Sequence, residues 1–254
     1  MKKAIFTDID NTILPKGHTK LSLKTIQTFK KALDLGYEVF LISGRPIKYV
    51  EYLAKSIDDR VKAIGFNGNY SDRFIDNPIK KDILLDTFKN ILADNSNFVY
   101  KSIDCVYSHK EKMDMFTYDY EQTGISYKEF VDINKSIEND IYKIVCLSKI
   151  KPQSLLDNID SSLSINLYDN IGFEITSNLN KKDAIEIICN KLNIDLSNSL
   201  IFGDDINDCC MFELDAKKFV VKNCNKECLK YNVTLCDYDY NDGVAKQIEK
   251  ELKI

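Results

Sequence analysis

Apolar residues in this chain fall into short runs that stop abruptly at polar loops. Residues 4–7 lead into Asp8-Ile9-Asp10-Asn11-Thr12, and residues 39–42 lead into Ser43-Gly44-Arg45. Residues 200–202 lead into Gly203-Asp204-Asp205-Ile206-Asn207-Asp208. Short apolar runs bounded by polar loops are the mark of buried strands. Between the first two runs the spacing changes. Ser22 can cap a helix whose apolar positions Leu23, Ile26, Phe29, Ala32 and Leu33 share a face, and Gly36 sits where a left-handed cap belongs. Pro46 opens a second helix carrying Val50, Leu53 and Ile57, and residues 61–66 form a third strand ending at Asn67-Gly68. This βαβαβ order predicts right-handed crossovers and a parallel sheet.

The same alternation returns near residue 181. Residues 181–192 carry Ala184, Ile185, Ile188 and Leu192 on one helical face. A strand over 200–202, a short helix over 206–214, a strand over 219–221 and a closing helix over 243–252 follow. The middle of the chain is richer in Tyr, Asn and Asp, with shorter apolar runs. Helices are predicted there over 83–92, 127–137 and 152–159, and strands over 98–100, 105–107, 141–147 and 164–168. The predicted class is α/β: a Rossmann-like parallel-sheet core (residues 1–75 and 176–254) with an inserted α+β unit (76–175).

Composition narrows the functional classes. The chain has 254 residues, 44% of them hydrophobic and 29% charged, and a formal net charge of -4. That balance offers no basic footprint for nucleic acid and no polybasic membrane patch. Apolar runs fall short of the ~20 residues that span a bilayer. The residues ahead of Asp8 are too few for a secretory signal. A cytoplasmic location is expected. Eight cysteines and two histidines show no CxxC pair, so buried reduced thiols are expected over a zinc site or a disulfide framework.

In an open parallel sheet, ligands bind at the carboxyl ends of the strands. Three buried strands that all end in polar groups therefore point to one site. Asp8 and Asp10 lie two apart, so a persisting strand would put both on one face. Two such carboxylates repel unless a cation or proton separates them, and oxygen ligands suit Mg2+. Asp8 could attack phosphorus while Asp10 moves protons. Ser43, with the amides of Gly44 and Arg45, could hold phosphoryl oxygens ahead of a helix start. Asp204, Asp205 and Asp208 crowd three acids into five residues, which a metal would explain. Asn207 could donate to phosphate or water. Lys181 and Lys182 stand at a helix start, where a cation opposes the dipole and so calls for a reason. Singly, each loop has an ordinary alternative: an acidic turn, a Ser-Gly turn, a helix start rich in acids, a solvated lysine.

Taken together, the order and type of these residues resemble the haloacid dehalogenase-like phosphatases. Asp8-x-Asp10-x-Thr12 resembles their first motif, Ser43 the second, Lys181 the third, and Gly203-Asp204-x-x-Asn207-Asp208 the fourth. Helix phase with Ala184 favours Lys181 over Lys182 as the third. The whole chain resembles the Cof-type hydrolases, with further likeness at Ser43-Gly44-Arg45, Asn67-Gly68, Glu174-Ile175, Asn223 and Asp242-Gly243-Val244-Ala245. Asn11, Asp205 and Lys182 stand where that family often has glycine.

The resemblance implies a Mg2+-dependent phosphatase acting on a small phosphorylated metabolite, such as a sugar phosphate. Asp8 would be the nucleophile and a metal ligand. Asp10 would be the acid-base group, its backbone carbonyl on the metal. Asp204 and Asp208 would complete the metal set. Thr12, Ser43, Gly44, Arg45, Asn67, Lys181 and Asn207 would bind phosphate or substrate. The inserted unit would be a cap that sets specificity. Tyr118, Tyr120 and Tyr127 in it could stack on a sugar, although packing is the expected role. A phosphomutase and a non-catalytic phosphate-binding module are the rival readings. The expected partner is a small phosphate ester rather than nucleic acid or membrane, and monomer and homodimer stay open.

Overall fold

The computed structural model describes residues 1–93, 97–109, 123–130, 139–147, 160–168 and 172–254. These divide into two compact units, Met1–Ile75 with Asn180–Ile254, and Asp76–Leu179. The strands are β1 (Lys3–Thr7), β2 (Tyr37–Ile42), β3 (Lys62–Ile64), β4 (Tyr70–Ser71) and β5 (Ile75–Asp76), then β6 (Asn97–Lys101), β7 (Cys105–His109), β8 (Ser126–Phe130), β9 (Lys143–Leu147), β10 (Leu163–Tyr168) and β11 (Gly172–Ser177). Strands β12 (Leu200–Gly203), β13 (Lys217–Val220) and β14 (Thr234–Leu235) complete the set. The described helices are α1 (Leu23–Asp34), α2 (Ile47–Ile57), α3 (Lys81–Ala93), α4 (Lys181–Leu192) and α5 (Gly243–Leu252).

The first unit is an all-parallel six-stranded sheet in the order β14-β13-β12-β1-β2-β3. Its central strand β1 pairs with β2 on one side (Ile5 opposite Val39) and with β12 on the other (Ile5 opposite Leu200). Ala4, Ile5 and Phe6 are fully buried, as a strand covered on both faces requires. On one face Ile5, Val39 and Leu41 join Phe29 of α1, Val50 and Leu53 of α2, and Val244 and Ile248 of α5 in one apolar cluster. Phe6 and Phe40 stack at 4.7 Å.

Helix boundaries follow local chemistry. Ser22 Oγ accepts from the Thr25 amide at 3.0 Å, a cap that stabilises α1 by about 1 kcal/mol. Leu35 ends that helix, and Gly36 turns the chain at φ 85°. Asn180 and Asp183 form a reciprocal capping box on α4, placing an acid in the turn where Lys181 and Lys182 oppose the dipole.

The second unit holds a mixed sheet in the order β10-β11-β9-β6-β7-β8, antiparallel except for the β7–β8 pair. Phe88 of α3 packs on Phe98 and Tyr100 within a cluster that includes Ile144, Phe173 and Ile175. Lys143 and Glu174 form a buried ion pair between β9 and β11.

Several sequence expectations are corrected. The helix predicted over 127–137 begins instead as strand β8, paired in register with β7 (Val106 opposite Tyr127). The rest of that span, the helix predicted over 152–159, and Tyr118 and Tyr120 lie outside the described residues. Tyr127 is half-buried against the Val99, Val106 and Val145 cluster. The third strand stops at Ile64 rather than residue 66, because Phe66 and Asn67 turn to φ 52° and 56°. The short helix expected over 206–214 is present as a 3₁₀ segment, Ile206–Glu213. Strand β11 had no counterpart among the sequence expectations. Among the described residues no helix is long and apolar enough to cross a membrane.

Candidate active site

The carboxyl ends of β1, β2 and β12 lie side by side in the parallel sheet, and each delivers one of the three polar loops. The Asp8 amide donates to Phe202 O at 3.0 Å, which ties the first loop to the end of β12. The Ser43 amide likewise donates to Ile64 O at 3.0 Å. Past Asp8 the chain turns tightly. Ile9 O accepts the amides of Ile13 and Leu14, and Asn11 adopts φ 55°. Asparagine tolerates that left-handed conformation better than most residues. Asn223 Nδ2 donates to Asn11 O at 2.9 Å and holds the turn from the far side.

Lys181 is the centre of charge. It is 1% exposed, and its Nζ donates to Asp8 Oδ1 at 2.6 Å and to Asp208 Oδ1 at 2.5 Å. Lys182 points elsewhere and pairs with Glu213 at 2.9 Å on the surface. The second oxygen of Asp208 accepts the amides of Asp204 at 2.8 Å and Asp205 at 3.1 Å, so this side chain braces the loop that carries it. A Cβ on Gly203 would lie 2.7 Å from that carboxylate, which explains the glycine at the loop entry. Asp205 is exposed, and its Oδ1 accepts from Asn225 Nδ2 at 3.2 Å.

A carboxylate oxygen from each of Asp8, Asp204 and Asp208 lies within 4.8 Å of the others, and all three residues are buried. Burial pushes the Asp8 carboxyl well above the usual range, and its acidic neighbours add to the rise while Lys181 opposes it. Burial, then Asp208, push Asp204 up to about 8. Burial works against the charge of Lys181, but Asp208 and Asp8 outweigh it and raise its pKa. Three buried carboxylates thus face one ammonium. The surplus negative charge and the oxygen-only donor set fit a hard divalent cation such as Mg2+.

The remaining predicted residues take distinct positions. Thr12 Oγ1 donates to Asp204 Oδ1 at 2.6 Å, so its hydroxyl serves a carboxylate of the acidic cluster. Ser43 is 2% exposed, and its Oγ accepts the Arg45 amide at 3.1 Å. Gly44 sits against Asn67: a Cβ there would come 2.8 Å from Asn67 Oδ1. The same Asn67 oxygen accepts from Asn207 Nδ2 at 3.3 Å, joining the turn after β3 to the third polar loop. The carboxylate of Asp10 lies outside the three-acid cluster. It is gripped by Arg45, whose Nε and Nη2 donate to Oδ2 at 2.8 Å and Oδ1 at 2.7 Å.

Asn225 escaped the sequence reading. Its amide donates to Asp204 O at 2.6 Å and fixes the backbone of a cluster residue. The available signal was local: Asn225 caps the short Lys226–Lys230 turn by accepting the Glu227 amide. Six of the eight cysteines are buried as free thiols, and Cys210 and Cys224 are half-buried.

The family model described as haloacid dehalogenase-like hydrolase matches residues 5–248. A protein named phosphoglycolate phosphatase from Methanoculleus marisnigri is 20% identical over 254 residues, covering 98% of this chain and 97% of its own. Among solved structures, a haloacid dehalogenase-like hydrolase from B. subtilis superposes with a TM-score of 0.83 at 19% identity, covering 97% of this chain and 99% of its own. A sugar phosphatase of subclass IIB superposes with a TM-score of 0.81 at 16% identity over the full length of both chains.

Proposed function

This chain belongs to the haloacid dehalogenase-like hydrolases, and from that membership we propose that it is a Mg2+-dependent phosphatase of small phosphorylated metabolites, with Asp8 as nucleophile. One observation carries the reading: Asp8 sits at the end of the central strand, bonded to buried Lys181 and within reach of Asp204 and Asp208. A binding module needs neither a nucleophilic carboxylate nor a second acid two residues on.

Asp8, Asp204 and Asp208 would hold the cation. When bound, the cation neutralises the clustered acids and the charge on the phosphoryl oxygens. Lys181 keeps Asp8 aligned and adds positive charge to the place where phosphoryl oxygens arrive. Ser43, Gly44 and Asn207 line that place with hydroxyl, amide and carboxamide donors. Asp8 attacks phosphorus, and the departing alcohol takes a proton from Asp10. Water then attacks the phosphoryl group on Asp8, gives its proton to Asp10, and frees Asp8. Most of the catalysis in such transfers is positioning and charge stabilisation. The Asp76–Leu179 unit supplies selectivity among phosphate esters. The names of the relatives, one a phosphoglycolate phosphatase and one a sugar phosphatase, support a small acid or sugar as the alcohol portion.

The test is phosphate release from a panel of phosphorylated metabolites with Mg2+, alongside Asp8→Asn and EDTA. Turnover lost in both controls is the expected result. Turnover surviving in Asp8→Asn overturns the assignment, and an isomerised sugar phosphate without free phosphate identifies a mutase instead.

A further inference from the structure

Arg45 is built as a rigid fork. Its backbone is pinned at both ends, the amide donating to Ser43 Oγ at 3.1 Å and the carbonyl accepting the Phe66 amide at 3.0 Å. Its guanidinium carbon lies 4.0 Å above the ring centroid of Tyr49. Tyr49 is itself buried, in the first turn of α2. From that platform two N–H groups reach the two oxygens of Asp10 in parallel. A stacked, bidentate guanidinium fixes the plane of the carboxylate it holds, which a lysine ammonium cannot do.

We propose that Arg45 is the positioning residue of Asp10, aiming that carboxyl at the ester oxygen, and that it is not an anchor for the substrate phosphate. The inference rests on the phosphatase reading of the site. During the first transfer an Asp8 oxygen bonds to phosphorus and the phosphorus–ester oxygen bond breaks. The leaving oxygen takes the proton of the Asp10 carboxyl. During the second, the water oxygen bonds to phosphorus, the bond to Asp8 breaks, and Asp10 recovers a proton from the water. For each exchange one Asp10 oxygen must leave its N–H partner. A two-pronged hold lets one oxygen go while the other keeps the carboxyl aimed. Tyr49 keeps the fork from following the substrate.

Leaving-group dependence separates this role from substrate binding. p-Nitrophenolate departs without a proton, whereas an alkoxide requires one. The experiment measures kcat/KM, which covers steps through ester cleavage, for an alkyl phosphate and for p-nitrophenyl phosphate. The enzymes are the wild type, Arg45→Lys, Tyr49→Leu and, as benchmark, Asp10→Asn. Misaiming the acid should cost on the order of a hundredfold on the alkyl ester in Arg45→Lys. The nitrophenyl ester should change little, the pattern of Asp10→Asn. Tyr49→Leu, which keeps the arginine, should show a smaller loss with the same ester selectivity. Equal losses on both esters with a raised KM would overturn the proposal, because they mark a grip on the phosphoryl group. Failure of the underlying reading shows separately, as wild-type turnover that does not depend on Asp8.

Discussion

Replacing Lys181 with methionine keeps an unbranched side chain but removes the ammonium that bonds Asp8 at 2.6 Å and Asp208 at 2.5 Å. At an effective dielectric of about 20, each contact is worth roughly 6 kcal/mol of attraction before desolvation. Desolvation offsets most of that. Removing one partner of a buried pair nonetheless costs about 3–5 kcal/mol, because the other charge is stranded. Domains have a total stability of only about 5–15 kcal/mol. Urea denaturation in EDTA is the assay. With a slope near ~2 kcal/mol/M, the midpoint of Lys181→Met should fall by about 2 M. Adding Asp208→Asn removes one of the stranded acids, so the double variant should recover part of the loss, with a coupling of about 0.5–3 kcal/mol. Equal midpoints for wild type and Lys181→Met would refute the claim that these carboxylates are held by this ammonium.

The acidic cluster also sets a pH dependence. Asp204 is pushed up to about 8 and Asp8 is raised too, against about 3.9 for an unfolded aspartate. Between those values the folded, metal-free protein binds more protons than the unfolded chain, so its stability falls as pH rises, by at most ~1.4 kcal/mol per pH unit per group. Thermal midpoints in EDTA should therefore drop from pH 5 to 8, and Mg2+ should flatten the curve by taking the place of the protons. A midpoint in EDTA that climbs across this range contradicts the charge assignment. Thr12→Val removes the hydroxyl that donates to Asp204 at 2.6 Å, and should weaken Mg2+ binding about 10–100-fold. Unchanged affinity by calorimetric titration would detach Thr12 from the cation site.

Much of the first unit was legible because each of its elements carries its own punctuation. Ser22 and Gly36 bracket α1, Pro46 opens α2, and α4 and α5 span the residues their apolar spacing predicts. In the second unit, tertiary pairing overrides local pattern. Strand β8, Ser126-Tyr127-Lys128-Glu129-Phe130, has three of its five residues exposed and two charged, and its pairing with β7 makes it a strand. Strand β11 alternates, but with only two large apolar residues, Phe173 and Ile175, on its core face, and with Glu174 buried and ion-paired to Lys143 of β9, which is too short an apolar signal to mark a strand. At the site, residue types and loop order were readable, but side-chain directions were not. Thr12 turning to Asp204, Arg45 turning to Asp10, and the Asn67–Asn207 contact depend on loops that meet only in the fold.

The placement of β1 between β2 and β12 has a consequence for the newborn chain. Ala4 is tied to Ser199, 195 residues further on. At about 5–20 residues per second, synthesis reaches that partner some ten to forty seconds after β1 is made. Until then β1 can pair with β2, but its other edge stays open, and an uncovered apolar edge is a template for aggregation. Asp8 meanwhile waits for Lys181. Ribosome-bound chains halted before β12 should consequently lack the site and be the species that chaperones hold.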